Sequence, residues 1–256
     1  MATVDTPRPP YQDLTPDRIL NAVESLGLRC DGRLLALNSY ENRVYQVGIE
    51  ESAPVIAKFY RPLRWTDEAI LEEHRFTLEL AEREIPVVAP LVHKMGRTLH
   101  EFEGFRFTIS PRQSGRAPEL DDPDTLEWMG RFIGRIHAVG AIEPFAHRPT
   151  ITIETFGVEP YRYIIANGFI PPDLEAAYIS TVEDALQRVR AAFARAEPVS
   201  LIRLHGDCHP GNVLWSDTGP HFVDFDDCRM GPAVQDIWML LSGDRAAMTR
   251  QLSDFM

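Results

Sequence analysis

Apolar and polar positions alternate along this chain with two periods, and the change from one to the other marks out its elements. Thr15-Pro16 reads as an N-cap followed by a first helical residue, with Gly27 as the stop, so a short helix is expected over 16–26. The period then becomes two. Leu35-Ala36-Leu37, Val44-Tyr45-Gln46-Val47 and Val55-Ile56-Ala57-Lys58-Phe59-Tyr60 predict three strands, the last two joined by a hairpin loop over Gly48 to Pro54. Helical spacing returns after Thr66 and continues to about Glu82, with Asp67 and Glu68 in the first turn, where negative charge suits the helix dipole. On this helix Glu73 falls in line with Ala69, Phe76 and Leu80, the apolar face, whereas Glu72 neighbours Glu68, Arg75 and Glu79, a face expected to be solvated.

Two further strands are expected over Pro86 to His93 and Phe105 to Ile109, followed by the aperiodic stretch Ser110 to Gly115, a candidate boundary between two lobes. Beyond it the pattern is mainly helical. Asp122 caps a helix over 123–139, Pro172 opens another reaching about Ala196, and a helix is expected again from Pro232. Strand patterns come back briefly between Leu201 and Asp224. The division predicted is residues 1–112 as one lobe and 113–256 as a helical second lobe, with the Pro-rich residues 1–14 as a loose arm.

Composition narrows the function. The 256 residues carry 26 Lys plus Arg against 38 Asp plus Glu, a net charge of −12, which argues against binding nucleic acid through phosphate neutralisation. Three cysteines without a C-x-x-C pair argue against a disulfide framework or a zinc site. No apolar run reaches membrane-spanning length and the first residues lack the apolar core of a signal peptide, so no membrane partner and a cytoplasmic location are expected.

The densest chemistry lies in His205-Gly206-Asp207-Cys208-His209-Pro210-Gly211-Asn212, entered from an apolar strand and left through Val213-Leu214-Trp215. Asp207 and Asn212 stand five apart, and Asp224 follows Asp207 by seventeen residues, just before Phe225. Phosphoryl transfer needs one carboxylate for the acceptor hydroxyl's proton, and an amide plus another carboxylate for the Mg²⁺ that bridges nucleotide phosphates. The D-x-x-x-x-N interval with a later Asp-Phe matches a kinase catalytic loop and its metal-binding Asp. Asp207 is therefore the candidate base, and Asn212 and Asp224 the candidate metal ligands.

This loop resembles that of the aminoglycoside phosphotransferase and choline kinase superfamily. Leu37-Asn38-Ser39-Tyr40-Glu41-Asn42-Arg43-Val44-Tyr45-Gln46, Lys58-Phe59-Tyr60-Arg61-Pro62 and Gly231-Pro232-Ala233-Val234-Gln235-Asp236 are similar to the stress response kinase A family within it, over about Leu14 to Gly243. The resemblance implies an α+β, bilobal protein-kinase-like fold, with an antiparallel sheet in the N-terminal lobe and a mainly helical C-terminal lobe. It implies a cytoplasmic Ser/Thr protein kinase that uses ATP and Mg²⁺ and acts in envelope and oxidative stress; a monomer is expected. Members usually continue with more C-terminal helices, so the C-terminal lobe is expected to be incomplete here.

The remaining kinase parts have counterparts among the residues. Lys58, flanked by apolar neighbours in the third strand, is the candidate phosphate-binding ammonium, with Glu73 as its partner and Glu72 as the fallback. Ser39 stands where a phosphate-covering loop is expected, without a G-x-G-x-x-G, and the resemblance puts it at the ATP site. Asp236, before an apolar run, is expected to bond backbone N–H groups of the catalytic loop. Asp226 and Asp227 are expected to be solvated, His137 a packing histidine, His74 without a partner, His209 a shaper of the loop, and Cys208 a small buried thiol. Only Phe225 to Gly231 separates Asp224 from Pro232, which leaves no room for a phosphorylation-ordered activation loop. Two other readings stay open: a kinase for a small hydroxyl compound such as an amino alcohol, aminoglycoside or homoserine, and a nucleotide- or partner-binding module without turnover.

Overall fold

The computed structural model describes residues 10–256, so residues 1–9 of the expected loose arm lie outside the described residues. In chain order the regular elements are α1 (Pro16–Glu24), β1 (Cys30–Leu37), β2 (Arg43–Ile49), β3 (Val55–Phe59), α2 (Asp67–Glu82), β4 (His100–Phe102), β5 (Phe105–Pro111) and α3 (Pro123–Gly140). They continue with α4 (Glu159–Ala166), α5 (Pro172–Ala196), β6 (Ile202–Leu204), β7 (Val213–Ser216), β8 (Gly219–Phe222), β9 (Arg229–Gly231) and α6 (Arg245–Phe255). The class is α+β. The chain falls into two units, one running up to Glu119 and including Gly211–Asp226, the other Leu120–Pro210 with Asp227–Met256. Where a single cut after residue 112 was expected, the chain crosses from unit to unit three times.

The first unit is an antiparallel sheet in the order β1-β2-β3-β5-β4. Side chains alternate across it. Val55, Ala57 and Phe59 of β3 face a core completed by Val47, Phe107 and the Ile19-Ala22-Val23 face of α1. Ile56 and Lys58 face the other way. Thr15 caps α1 by accepting the Arg18 N–H (3.4 Å), and Thr66 caps α2 by accepting the Ala69 N–H (3.2 Å). The β7–β8 hairpin belongs to this unit through two isolated bridges, Val87 to Phe222 and Arg116 to Trp215.

The strand expected over 86–93 does not form. Pro86 and Pro90 have no N–H to donate, and the backbone bonds there go to different partners, Phe222 N–H to Pro86 O (2.8 Å), Val88 N–H to Phe222 O (3.0 Å) and Leu91 N–H to Ile109 O (2.8 Å), so no continuous ladder forms. The short edge strand β4 takes its place in the sheet, beyond β5.

In the second unit Asp122 caps α3 by accepting the N–H groups of Asp124 and Thr125 (3.3 Å each). The helix ends at Gly140, where a Cβ would lie 2.1 Å from the Arg203 carbonyl oxygen, so only glycine lets β6 approach. β6 pairs with β9 rather than with either hairpin strand. α5 has one buried residue, Leu186. The pattern missed α4, which follows a π turn over Glu154–Val158.

The helix expected from Pro232 is two 3-10 turns, Ala233–Asp236 and Trp238–Leu240, before α6 begins behind an Asp244 cap. The Asp236 carboxylate and Gln235 amide are drawn to backbone groups elsewhere, and Gly243 (φ 89°) breaks the run. Among the described residues no helix is long and apolar enough to cross a membrane.

Candidate active site

One row of side chains crosses the sheet of the first unit. The register pairs Leu37 with Val44, Val44 with Lys58, and Lys58 with Thr108, and all four line a cavity of about 370 Å³. That volume is in the range of small-molecule sites. Its walls are apolar at Leu37, Val44, Ile56, Val88 and Leu214 and charged at Lys58, Glu73 and Asp224. Such a surface suits a ligand with a flat apolar ring and an anionic tail.

Lys58 Nζ is 2.6 Å from Glu73 Oε1, 3.6 Å from Asp224 Oδ1 and 3.8 Å from Asp226 Oδ1, and it lies 4.9 Å from the centre of the Tyr60 ring. Burial alone would push this ammonium down. Glu73 first, then Tyr60, Asp226 and Asp224, outweigh that penalty and hold it well above the usual lysine range. The helix spacing picked out Glu73, and Glu73 is the partner. Glu72 was expected on a solvated face, yet it is buried as well, because α2 is covered on more than one side.

The β7–β8 hairpin brings Asn212 and Asp224 to one end. Its ladder pairs Val213 with Phe222, and the Val223 N–H donates to the Asn212 carbonyl at 3.0 Å, so residues twelve apart in sequence flank the same strand ends. Both line the cavity with Lys58. Asp224 has φ 58°, a left-handed conformation uncommon for a residue with a side chain, and its carboxylate is half exposed. An amide oxygen and one carboxylate are a donor set that suits Mg²⁺, which usually takes one or two protein ligands and fills its octahedron with phosphate oxygens and water. Among the described residues no group of three His, Cys, Asp or Glu is placed to hold a metal by itself. Ser39 lies in the β1–β2 connection, partly exposed, and its neighbour Asn38 lines the cavity where Ser39 does not.

Asp226 and Asp227 are not the solvated pair the sequence suggested. Asp226 is 3% exposed and paired with Arg64 at 2.6 Å. Asp227, in the second unit, pairs with Arg229, whose Nε–H also donates to the Asp227 carbonyl at 2.6 Å. Both acids sit within reach of an arginine remote from them or just beyond them, which the local pattern does not reveal.

In the second unit the segment His205-Gly206-Asp207 is shaped by one carboxylate. Asp236, fully buried, accepts the His205 N–H at 2.9 Å and the Gly206 N–H at 2.8 Å. His137 Nε2 lies 3.1 Å from its Oδ2, so this histidine is a partner of Asp236 and more than packing. Gln235 donates to the Gly206 carbonyl at 3.2 Å. Gly206 has φ 86°, and a Cβ there would stand 2.1 Å from the Asp227 carbonyl oxygen. The Asp207 side chain that follows is 41% exposed, 3.7 Å from His209 Nε2, and the His209 N–H donates to the Asp207 carbonyl at 2.9 Å. A carboxylate held on a fixed loop and open to solvent is what a base for an incoming hydroxyl needs. Cys208 is buried, and burial first, then Asp236 and Asp207, push its thiol well above the usual range.

Sequence reasoning gave His74 no partner. It is buried on α2 beside Glu73, with Nε2 2.7 Å from the Tyr60 hydroxyl and Nδ1 2.8 Å from Thr98 Oγ1. Its place beside Ala69, Ile70 and Thr77 on a buried face was the available signal.

Comparisons with known proteins give the family. Residues 33–256 match the phosphotransferase enzyme family, and the chain belongs to that family. It is similar to stress response kinase A of Escherichia coli (strain K12), 46% identical over 94% of this chain and 73% of the relative. It is also 43% identical to the serine/threonine protein kinase RdoA of Salmonella typhimurium over the same shares of the two chains. Among solved structures, an amicoumacin kinase, hAmiN, in complex with AMP-PNP and Ca²⁺ shares the fold, with a TM-score of 0.71 and 19% identity over 88% of this chain and 71% of that one.

Proposed function

We propose that this kinase transfers the γ-phosphoryl group of ATP, in the presence of Mg²⁺, to serine or threonine hydroxyls of proteins. The observation that carries the reading is the Lys58 ammonium, held by Glu73 and facing Asp224 in a cavity that Asn212 also lines. In this reading the apolar row from Leu37 to Val44 receives the base, and Lys58 binds α- and β-phosphate oxygens. Glu73 fixes Lys58 in place. Ser39, on the connection beside the cavity, contributes a hydroxyl to the phosphates. Asn212 and Asp224 hold the divalent ion, which when bound neutralises phosphate oxygens. Asp207 accepts the proton of the acceptor hydroxyl as its oxygen bonds to the γ-phosphorus, and ADP leaves with the electron pair of the broken P–O bond. Asp236 positions the loop that carries Asp207.

The protein acceptor rests on the relatives, which are named as stress response and serine/threonine protein kinases. A second reading, a small hydroxyl compound as acceptor, is favoured by the fold shared with a kinase named for amicoumacin and by the seven residues between Asp224 and Pro232. Incubation with labelled ATP and Mg²⁺, with a generic protein acceptor and separately with a panel of small alcohols, tests the two. Label on protein supports the proposal. Label on an alcohol alone supports the second reading, and no label on either contradicts both.

A further inference from the structure

We infer that Tyr60 is a positioning residue for Lys58: its ring, clamped by the side chains of His74 and Thr98 and the backbone of β5, keeps the ammonium off Asp224. The cation then stays available to phosphate and the carboxylate to a metal ion. The inference rests on the reading of Lys58 as the phosphate-binding cation. An ammonium has three N–H donors. Glu73 Oε1 takes one at 2.6 Å, whereas Asp224 at 3.6 Å and Asp226 at 3.8 Å lie beyond hydrogen-bond reach. Attraction draws a cation onto a carboxylate this near, so an ammonium that stops about 1 Å short of contact is held back. The Tyr60 ring supplies the hold. Nζ lies over its face, 4.9 Å from the centre, within the cation–π range of about 6 Å.

A ring can hold a cation only if it is itself held. The Tyr60 N–H donates to the Arg106 carbonyl at 2.9 Å, and the Tyr60 hydroxyl lies 2.7 Å from His74 Nε2. His74 Nδ1 is 2.8 Å from Thr98 Oγ1, and the Thr108 hydroxyl donates to the Thr98 carbonyl at 2.8 Å. Thr108 is the cross-strand partner of Lys58, so this series of contacts begins and ends at the same lysine. His74 and Thr108 also line the cavity beside it. All four side chains are buried. Burying a phenol, an imidazole and two hydroxyls costs free energy that an apolar cluster of equal volume avoids, and what a bonded network gives instead is one fixed geometry. The Glu73 contact alone fixes the distance of Nζ from one oxygen and leaves it free to swing about that point. The ring face is the second point of contact.

The test has two readouts. Lys58 and Lys94 are the two lysines of the chain, so protein labelled with ¹³C-lysine gives two sets of side-chain signals, and Lys58→Met assigns them. Protons over an aromatic face move upfield. The Lys58 Hε signals should therefore stand upfield of those of Lys94, move to the Lys94 position in Tyr60→Leu, and move part of the way in Tyr60→Phe, which keeps the ring and loses its tether to His74. This readout needs no nucleotide. The second is AMP-PNP affinity. Tyr60→Leu should weaken it about five- to thirtyfold and Tyr60→Phe about two- to fivefold, and neither change should add to the loss caused by Lys58→Met. A merely structural Tyr60 would lower affinity equally with and without Lys58. If Tyr60→Leu does not fold, Tyr60→Phe carries the same cycle. A Lys58→Met protein that binds AMP-PNP as the parent does overturns the phosphate-binding reading and this inference together. Where Lys58→Met does weaken binding, this inference alone is overturned by Tyr60 variants that bind as the parent does, by equal losses in the two backgrounds, or by Lys58 signals that stay in place.

Discussion

Glu73 holds the Lys58 ammonium at 2.6 Å from a helix fifteen residues further along the chain, and both side chains are largely withdrawn from water. An ammonium and a carboxylate in that setting are each costly alone and tolerable together. Lys58 also lines the cavity, where Asp224 lies 3.6 Å from it.

Removing one partner should therefore destabilise more than removing both. Lys58→Met should lower unfolding stability by about 3 kcal/mol, and Lys58→Met with Glu73→Leu should recover part of that loss. The folded pKa of Lys58 is raised, so its contribution is complete below the unfolded value of about 10.4 and fades only as pH rises through the higher folded value. Urea denaturation should give the same parent-to-variant difference at pH 7 and pH 9. A difference that shrinks within that window, or a double variant less stable than the single, would count against the pairing.

The Asp207 side chain is 41% exposed. Asp207→Asn should leave nucleotide affinity within about threefold while lowering single-turnover phosphoryl transfer by about 10²- to 10⁴-fold. Parental turnover in this variant would remove Asp207 from the role of base.

Asp236 accepts two backbone N–H groups at once, which an amide cannot do without turning its own N–H₂ toward one of them. Asp236→Asn should cost about 2–4 kcal/mol in stability and reduce turnover with it. His137→Leu removes only one of the three partners of Asp236 and should cost about 1 kcal/mol. Equal losses in the two variants by thermal or chemical denaturation would contradict this ranking.

Much of the candidate site could be proposed from the chain because its parts are local in sequence. Asp207, Asn212 and Asp224 come from one loop and one hairpin, and the ladder that joins Asn212 to Val223 follows from the short turn at Asp217-Thr218-Gly219. Glu73 was singled out by helical spacing for a physical reason that holds, the apolar face it shares with Phe76. The same spacing misjudged Glu72, because periodicity reports one buried face and α2 has more than one. The burial of Asp226 depends on Arg64, 162 residues away, and the role of His137 on Asp236, 99 away. No local pattern carries such contacts. The lost strand over 86–93 had a legible warning in Pro86 and Pro90, two missing donors inside one run.

Cys208 stands next to Asp207 in sequence, which invites the thought of redox control. Its burial and raised pKa argue otherwise, since the thiolate is the reactive form. At pH 8 iodoacetamide should leave Cys208 unmodified in the folded protein by peptide mass mapping, and activity unchanged. Cys30, partly exposed and raised to about 11, should also label slowly, and faster as pH approaches that value. Rapid labelling of Cys208 at pH 8 would refute the assignment.

The most direct test of the account is calorimetric titration of AMP-PNP into the parent and into Asp224→Ala, each with Mg²⁺ and with a chelator. The cavity described here predicts that Mg²⁺ tightens binding to the parent by about tenfold or more and leaves Asp224→Ala nearly indifferent to the metal. A variant whose affinity still rises with Mg²⁺ as the parent's does would contradict it.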